Sequence, residues 1–396
     1  MAQIILPAIW LIILIAGLPQ FAETVYTPTL PEIANALKTS VPMVEYTLTI
    51  YLLGFAIGTL FWGKLSDSLG RKPCVIAGLL IFILGCISCY FSNSITMLLI
   101  SRFVQAFGGS IGSVLAQTIC RDAFQGPRLG KVYASVGSSL AVFPAIGPVI
   151  GGTIAANFAW FNIFLVVLAF AIIVTTFVII YLPETHRTDL RKSVSIKEVL
   201  FKLVKDKRAM GFGLIVGACN GIMFSYFAEG SFYLIKLLGL HPSVYGLSFI
   251  PIAISTMLGG MVSKRLHNSH NTYEILRYGL LIIFIASSLF SMIIGLHTYF
   301  ISLSPTWIIN ITILAQMCIM FGVCMATSNA LALALVFYKD SIGTASSLFG
   351  FFYYACISLF TFVMGYLHNA TLLIMPLYFL AISTLMLGIQ KLMIAK

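Results

Sequence analysis

Gly63-Lys64-Leu65-Ser66-Asp67-Ser68-Leu69-Gly70-Arg71-Lys72-Pro73 stands between two uncharged runs, Tyr46 to Trp62 and Cys74 to Ser101. Each run is long and apolar enough to be read as a helix crossing the ~30 Å hydrocarbon core of a bilayer. The stretch between them therefore reads as a tight aqueous turn joining two spanning helices, one wall of a two-helix gate. Its glycines allow backbone to approach closely. Asp67 suits a helix N-terminus or a cationic partner, and Arg71 and Lys72 hold the turn on the basic, inner side of the membrane.

The rest of the chain agrees with that reading. Of 396 residues only 9% are charged and 60% are hydrophobic, and the mean hydropathy is +1.02. No soluble globular surface could be made from that balance, so the class is an all-α polytopic membrane protein. A net charge of +11 raises the question of nucleic acid, and the positions of the charges answer it. Of the 23 Lys and Arg, Lys38 and Lys236 fall in loops placed outside and Arg102 in a span; the rest lie inside. This is the positive-inside pattern, which puts both termini in the cytoplasm and makes basic charge a topology signal, with anionic lipid as a secondary contact. The eight cysteines are scattered through apolar sequence and make no disulfide framework; Cys86 and Cys89 read as small packing residues. The first span has no basic leader and no convincing cleavage site, so it is expected to be retained.

Twelve spans are expected. The first runs from about Ile4 to Thr27 and ends at Pro28 and Pro31; the second to fourth cover Val44 to Trp62, Cys74 to Phe91 and Thr96 to Ile119. The uncharged run Val132 to Pro183, broken near Asn157 to Asn162, supplies the fifth and sixth. Residues 186–208 hold eight basic and three acidic residues and read as a basic cytoplasmic linker. Within it, Ser195 to Lys205 suits either a solvated linker or a surface helix with Val199, Leu200 and Leu203 turned down. The linker separates a six-helix half, 1–185, from a second, 209–396. Gly259-Gly260 followed by Lys264-Arg265 resembles a worn copy of the turn after span two, as expected of two pseudo-symmetric halves rocking around a central cavity.

Several stretches resemble the signatures of the major facilitator superfamily. Gly63, Asp67, Gly70, Arg71 and Lys72 match its motif A, Arg102-Phe103-Val104-Gln105 resembles motif B, and Gly147-Pro148-Val149-Ile150-Gly151-Gly152 is similar to the core of the antiporter motif C. Phe143 stands where that motif would carry a further glycine. Tyr26-Thr27-Pro28-Thr29-Leu30-Pro31, Arg121-Asp122, Leu182-Pro183-Glu184-Thr185 and Gly343 to Gly350 resemble the drug:H+ antiporters of the Bcr/CflA group, typified by bicyclomycin and chloramphenicol resistance proteins. The resemblance implies proton-driven multidrug export from a bacterial inner membrane, with no cofactor beyond the proton gradient. It also assigns proton coupling to the intramembrane Arg102 and antiport to Gly147, Pro148, Gly151 and Gly152.

No histidine is expected deep in a span, which leaves Glu23 in span one and Glu229 in span seven as proton carriers with Arg102. Burial disfavours the charged form of a carboxyl, and an approaching cation restores it. Related exporters carry an aspartate where this chain has Thr24; Glu23 is one residue earlier, about 100° around the helix. Gln20, Tyr26, Tyr51, Asn220, Tyr226, Tyr233, Gln316 and Asn329 are expected near one depth as the substrate wall, suited to amphipathic or cationic small molecules. Symport of a nutrient is the alternative. An integral membrane enzyme is a weaker one, because no nucleophile–His constellation, metal motif or nucleotide-binding loop is found. The expected partners are substrate, protons and lipid, with the protein a monomer.

Overall fold

The structure, a computed structural model, describes residues 6–124, 132, 135–136, 139–140, 142–185, 196–338 and 342–394. Among them the secondary structure is helical, and eleven helices are long and apolar enough to cross a membrane. In chain order the helices of the first half are α1 (Ile9–Thr24) with α2 (Leu30–Ala36), α3 (Val41–Leu69), α4 (Arg71–Tyr90), α5 (Ile95–Ala123), then α6 (Phe143–Asn157), which is not one of the eleven, and α7 (Asn162–Tyr181). The second half has α8 (Ile196–Lys205), α9 (Lys207–Ser231), α10 (Pro242–Leu266), α11 (Thr272–Tyr299), α12 (Pro305–Ala334), α13 (Ile342–Leu367) and α14 (Ile374–Ile389). The short α6 occupies the place of the fifth expected span. Much of the sequence before it lies outside the described residues, as does the linker segment 186–195.

Two sequence expectations are corrected. Gly63 to Leu69 is not a loop: α3 continues through Leu69, and the turn is Gly70 alone, with φ at +104°, before α4 starts at Arg71. The prolines after α1 do not end the span either. Pro28 and Pro31 occupy first-turn positions of a 3-10 turn and of α2, where a missing N–H breaks no hydrogen bond, so the span carries on to Ala36.

The buried apolar side chains fall into separate clusters. One buried apolar cluster draws its members from Leu11 to Leu182, and a second from Val199 to Ile394 with Leu52 added. A third joins both, setting Tyr26, Leu30, Val44 and Leu48 against Ala228 and Phe232. Large apolar side chains such as Leu84, Ile172, Met292 and Leu314 stay exposed in mid-helix. That belt would be untenable in water and suits lipid.

The amphipathic segment forms α8, but its apolar residues divide. Val199 and Leu203 are buried against the second half, whereas Leu200, Phe201 and Val204 are exposed. Asp206 separates α8 from α9 and accepts from the amides of Arg208 and Ala209, satisfying orphan donors at the start of α9. Its other oxygen accepts from the Tyr338 hydroxyl at 3.2 Å. Burial and the Asp206 carboxylate push that hydroxyl up to about 12, so it remains a donor at neutral pH. The linker end is thereby tied to the segment between α12 and α13.

Gly70 holds a conformation closed to other residues, and a Cβ there would meet Glu184 Oε2 at 2.7 Å. Gly70→Ala should lose roughly 1–3 kcal/mol of stability, visible as a lower Tm in detergent. Gly388→Ala, at a helical site with nothing within 4 Å of the added carbon, should leave Tm unchanged or slightly raised.

Candidate functional site

Arg102 is a fully enclosed charge in the first half. It sits about two turns into α5 and has no exposed surface, so it does not reach back to the membrane edge. Its guanidinium carbon lies 4.5 Å from the centre of the Tyr26 ring and 4.2 Å from that of Tyr51. Nη1 donates to Gln105 Oε1 at 2.6 Å and to Ala22 O at 3.5 Å. Gln105, one turn along α5, donates in turn to Cys86 Sγ at 3.1 Å. The rings are fixed as well: Tyr51 donates to Pro19 O at 3.1 Å, and Tyr26 shares a 3.0 Å hydrogen bond with Thr47.

An arginine at helix centre costs about 2.5–3.5 kcal/mol on insertion scales. Two desolvated cation–π contacts at ~0.5–2 kcal/mol each and one charge-assisted hydrogen bond at ~1.5–3 are of the size needed to offset it. The guanidinium is still not saturated, since Nε and Nη2 have no hydrogen-bond partner. Glu23, one turn before Tyr26 and buried, is close enough to interact electrostatically with Arg102 but makes no ion pair with it within 4 Å. The same carboxyl acts on Tyr354, contributed by α13 of the other half. Thr24, where related exporters carry the acid, faces the other way: its hydroxyl donates to Gln20 O at 2.9 Å and lies against α6 near Gly147. Glu23 is therefore the acid of α1 within electrostatic reach of the arginine.

The remaining motif residues lie at contacts between helices. A Cβ on Gly147 would meet Val25 N at 3.0 Å, and one on Gly151 would strike Val25 O. Gly152 faces Pro242 O and Gly246 of α10, while Gly246 faces Pro148 O. The Gly-Pro-x-x-Gly-Gly stretch thus fills two seams, one to α1 and one to the second half. Phe143 occupies the space a Cβ on Gly17 would need, so the side chain that departs from the motif is matched by a glycine in α1.

At the end of the bundle holding Arg71, the motif forms a polar clasp. Arg71 Nη1 donates to Asp67 at 2.6 Å and Ser66 at 2.9 Å, and Nε donates to Asp122 at 2.8 Å. The Asp67 side chain is 68% exposed against 22% for Asp122, so the link to α5 carries more of the attraction. Glu184 accepts from the amides of Arg71 at 2.9 Å and Lys72 at 3.1 Å, an acid on the positive end of α4. Lys72 Nζ reaches Ile179 O at 2.8 Å. Gly63 lies against Ser347 of α13, within the Gly343 to Gly350 stretch.

The expected substrate wall is only partly assembled. Tyr26 and Tyr51 enclose Arg102, and Tyr226 packs on Phe249 with ring centres 5.7 Å apart. Gln20, Asn220 and Gln316 lie part-way along α1, α9 and α12, and Gln316 is buried. Asn329 and Tyr233 do not share a depth. Asn329 is near the end of α12 on the clasp side, where it donates to Ser263 Oγ at 2.9 Å, whereas Tyr233 follows the opposite end of α9. Sequence position alone misled here, because successive helices run in opposite directions.

Aromatic and acidic residues were also missed. Tyr353 and Tyr354, with ring centres 4.8 Å apart, bring α13 to Phe55 of α3. Glu45 is fully buried although it lies at the start of an apolar span, and His368, expected at a helix end, hydrogen-bonds Glu229 at 2.8 Å. A charged residue just inside an apolar run was the available signal for Glu45.

The Major Facilitator Superfamily model matches residues 9–361. The chain belongs to that superfamily. It is 34% identical over 371 residues to an uncharacterized transporter of Rickettsia felis, covering 92% of this chain and 90% of that one. It is 28% identical over 352 residues to a bicyclomycin resistance protein homolog of Haemophilus influenzae, covering 85% and 83%. The xylose transporter XylE from E. coli, in a partially occluded inward open conformation, superposes with a TM-score of 0.74 at 11% identity, over 98% of this chain and 97% of that one. This last likeness shows the fold. The protein is therefore a multi-pass membrane transporter of this superfamily, similar to Bcr/CflA drug exporters.

Asp67→Asn should leave the protein inserted and reduce transport turnover several-fold by loosening the clasp beside α13. Turnover equal to wild type in reconstituted vesicles would remove Asp67 from the gate.

Proposed function

We propose that this protein is a proton-coupled antiporter that exports drug-like or amphipathic small molecules, a siderophore or a metabolite among them, by alternating access across a bacterial inner membrane. The observation that carries the reading is the arrangement of Glu23 beside an Arg102 with two unoccupied donor nitrogens, within electrostatic reach of Tyr354 from the other half. A carboxyl so placed has three exclusive options: a proton, the guanidinium, or a cationic group of a bound compound. Competition among them is what exchange of substrate for protons requires. The tyrosines around it suit flat or cationic ligands.

The topology completes the proposal. The clasp, α8 and the basic segment after it face the cytoplasm with both termini, and the end carrying Glu45 and His368 faces outward. Rocking of the half 1–185 against the half 209–396, joined by the basic linker 186–208, exposes the centre to each side. The seam between α6 and α10, where Gly152 and Gly246 meet backbone, supports antiport because close contact there closes one route past the centre. The similarity to a bicyclomycin resistance protein homolog supports export. Glu229 is the second proposed proton group. The reading invokes no enzymatic step and no cofactor.

The test uses everted inner-membrane vesicles carrying an acid-inside gradient, to which cationic drugs, neutral antibiotics, siderophores and nutrients are added in turn. An antiporter should discharge the gradient on addition of its substrate, and Glu23→Gln should abolish that discharge while the protein remains in the membrane. Proton movement into the vesicle with the added compound would favour symport. A discharge unchanged in both Glu23→Gln and Glu229→Gln would remove these acids from coupling.

A further inference from the structure

Glu45, Glu229 and His368 meet at the end of the bundle away from the clasp. Glu45 is 22 residues before Asp67 on α3, or about 33 Å along that helix. Glu45 comes from the first half, Glu229 from the last turn of α9, and His368 directly follows α13. One ligand atom from each lies within 4.8 Å of the others. His368 Nδ1 is 2.8 Å from Glu229 Oε2. Both carboxylates are fully buried, yet neither oxygen of Glu45 nor Oε1 of Glu229 meets a hydrogen-bond donor.

The surroundings supply no compensating cation. Among the described residues no Lys or Arg pairs with either acid within 4 Å. The facing groups are Tyr46 by Glu45, Tyr233 by Glu229, and Phe232, whose ring centre is 5.9 Å from that of His368. The backbone of α13 presses in at Gly365, where a Cβ would meet Glu45 Oε2 at 2.8 Å. Two carboxylates whose oxygens lie within 4.8 Å repel by roughly 3–4 kcal/mol even at an effective dielectric of 20, and each also loses hydration. One imidazolium would balance only one of them.

We propose that Glu45, Glu229 and His368 form a binding site for a divalent transition-metal ion of the zinc class, which ties the two halves together at this end. Two carboxylate oxygens and one imidazole nitrogen are a donor set for Zn2+, Co2+ or Mn2+. Mg2+ and Ca2+ seek more oxygen ligands. Bonds of ~2.0–2.2 Å in tetrahedral geometry place neighbouring ligand atoms about 3.4 Å apart. The 2.8 Å between His368 Nδ1 and Glu229 Oε2 is shorter than that value, so an entering ion must move these two atoms apart by several tenths of an ångström. Because the ligands come from both halves, an ion held there opposes their separation and blocks the rocking on which transport by alternating access rests.

The test takes full-length protein purified through a histidine-free tag and stripped by a chelator, then titrated with ZnCl2, CoCl2 or MgCl2. One equivalent of Zn2+ should bind, Co2+ should give the absorption of a tetrahedral site, and Mg2+ should not compete. Glu45→Gln and His368→Gln should each weaken Zn2+ at least tenfold while remaining monodisperse. His368→Cys, which restores a ligand, should bind and add a thiolate-to-cobalt charge-transfer band. Absence of Zn2+ binding by the wild type at every pH where it stays folded would show that protons alone neutralise the acids and would overturn the proposal. Binding that survives both glutamine variants would overturn it too. Zn2+ should also block transport by the wild type but not by His368→Gln; binding without block would overturn the tie between the halves. Metal binding is read without substrate, so its failure is separable from failure of the antiport reading.

Discussion

The hydrocarbon core of a membrane offers no water to a charged side chain, so each buried charge must be surrounded by protein groups that replace it. In the first half that constraint is concentrated on Arg102. Tyr26 after α1, Tyr51 on α3 and Gln105 on α5 all turn towards it, and Cys86 on α4 holds Gln105. Removing the guanidinium would leave two ring faces and an amide aimed at nothing, while keeping it leaves two donor nitrogens open. The half is thus assembled around a cation that its own side chains hold but do not saturate, and an acid of α1 waits beside it.

The ends of the bundle are built differently. At the clasp, charges are numerous and partly wet, and they bind helices of one half to each other: Arg71 links α3, α4 and α5, and Glu184 brings the end of α7 onto the start of α4. Contact with the other half is made there by Gly63 against Ser347. At the opposite end the halves meet through apolar surface, with Leu30, Val44 and Leu48 against Phe232, and through a charged group in which acids from both halves face one another. A wet clasp within one half is compatible with sliding past its neighbour. Buried acids across the seam make that contact depend on what neutralises them.

The seam between α6 and α10 depends on backbone rather than side chains. Gly152 and Gly246 each present a surface where an added carbon would collide with the opposing helix. Within a membrane, where lipid competes with apolar side chains, such close backbone contact is a principal means of holding helices together.

Much of this was legible in the sequence because membrane insertion writes itself into composition. Uncharged runs of spanning length, basic residues gathered in alternate loops and a basic midpoint determined a helical, multi-pass protein, and the spacing of Gly63 to Lys72 and Gly147 to Gly152 pointed to its superfamily. Spacing along one helix also identified Glu23 and Arg102 as unusual, since a charge in an apolar run stands out without any coordinates. Tertiary structure alone decided which way those charges face. Glu23 and Thr24 are adjacent in sequence, yet one addresses Arg102 and the other α6, a difference set by helix rotation under packing. It alone decided that helix continues through the first clasp residues to a turn of one glycine. It also brought Glu45, Glu229 and His368 together from three segments far apart in the chain. No local pattern records that meeting, because Glu229 and His368 become neighbours only when the second half packs, and Glu45 joins them only when the two halves meet.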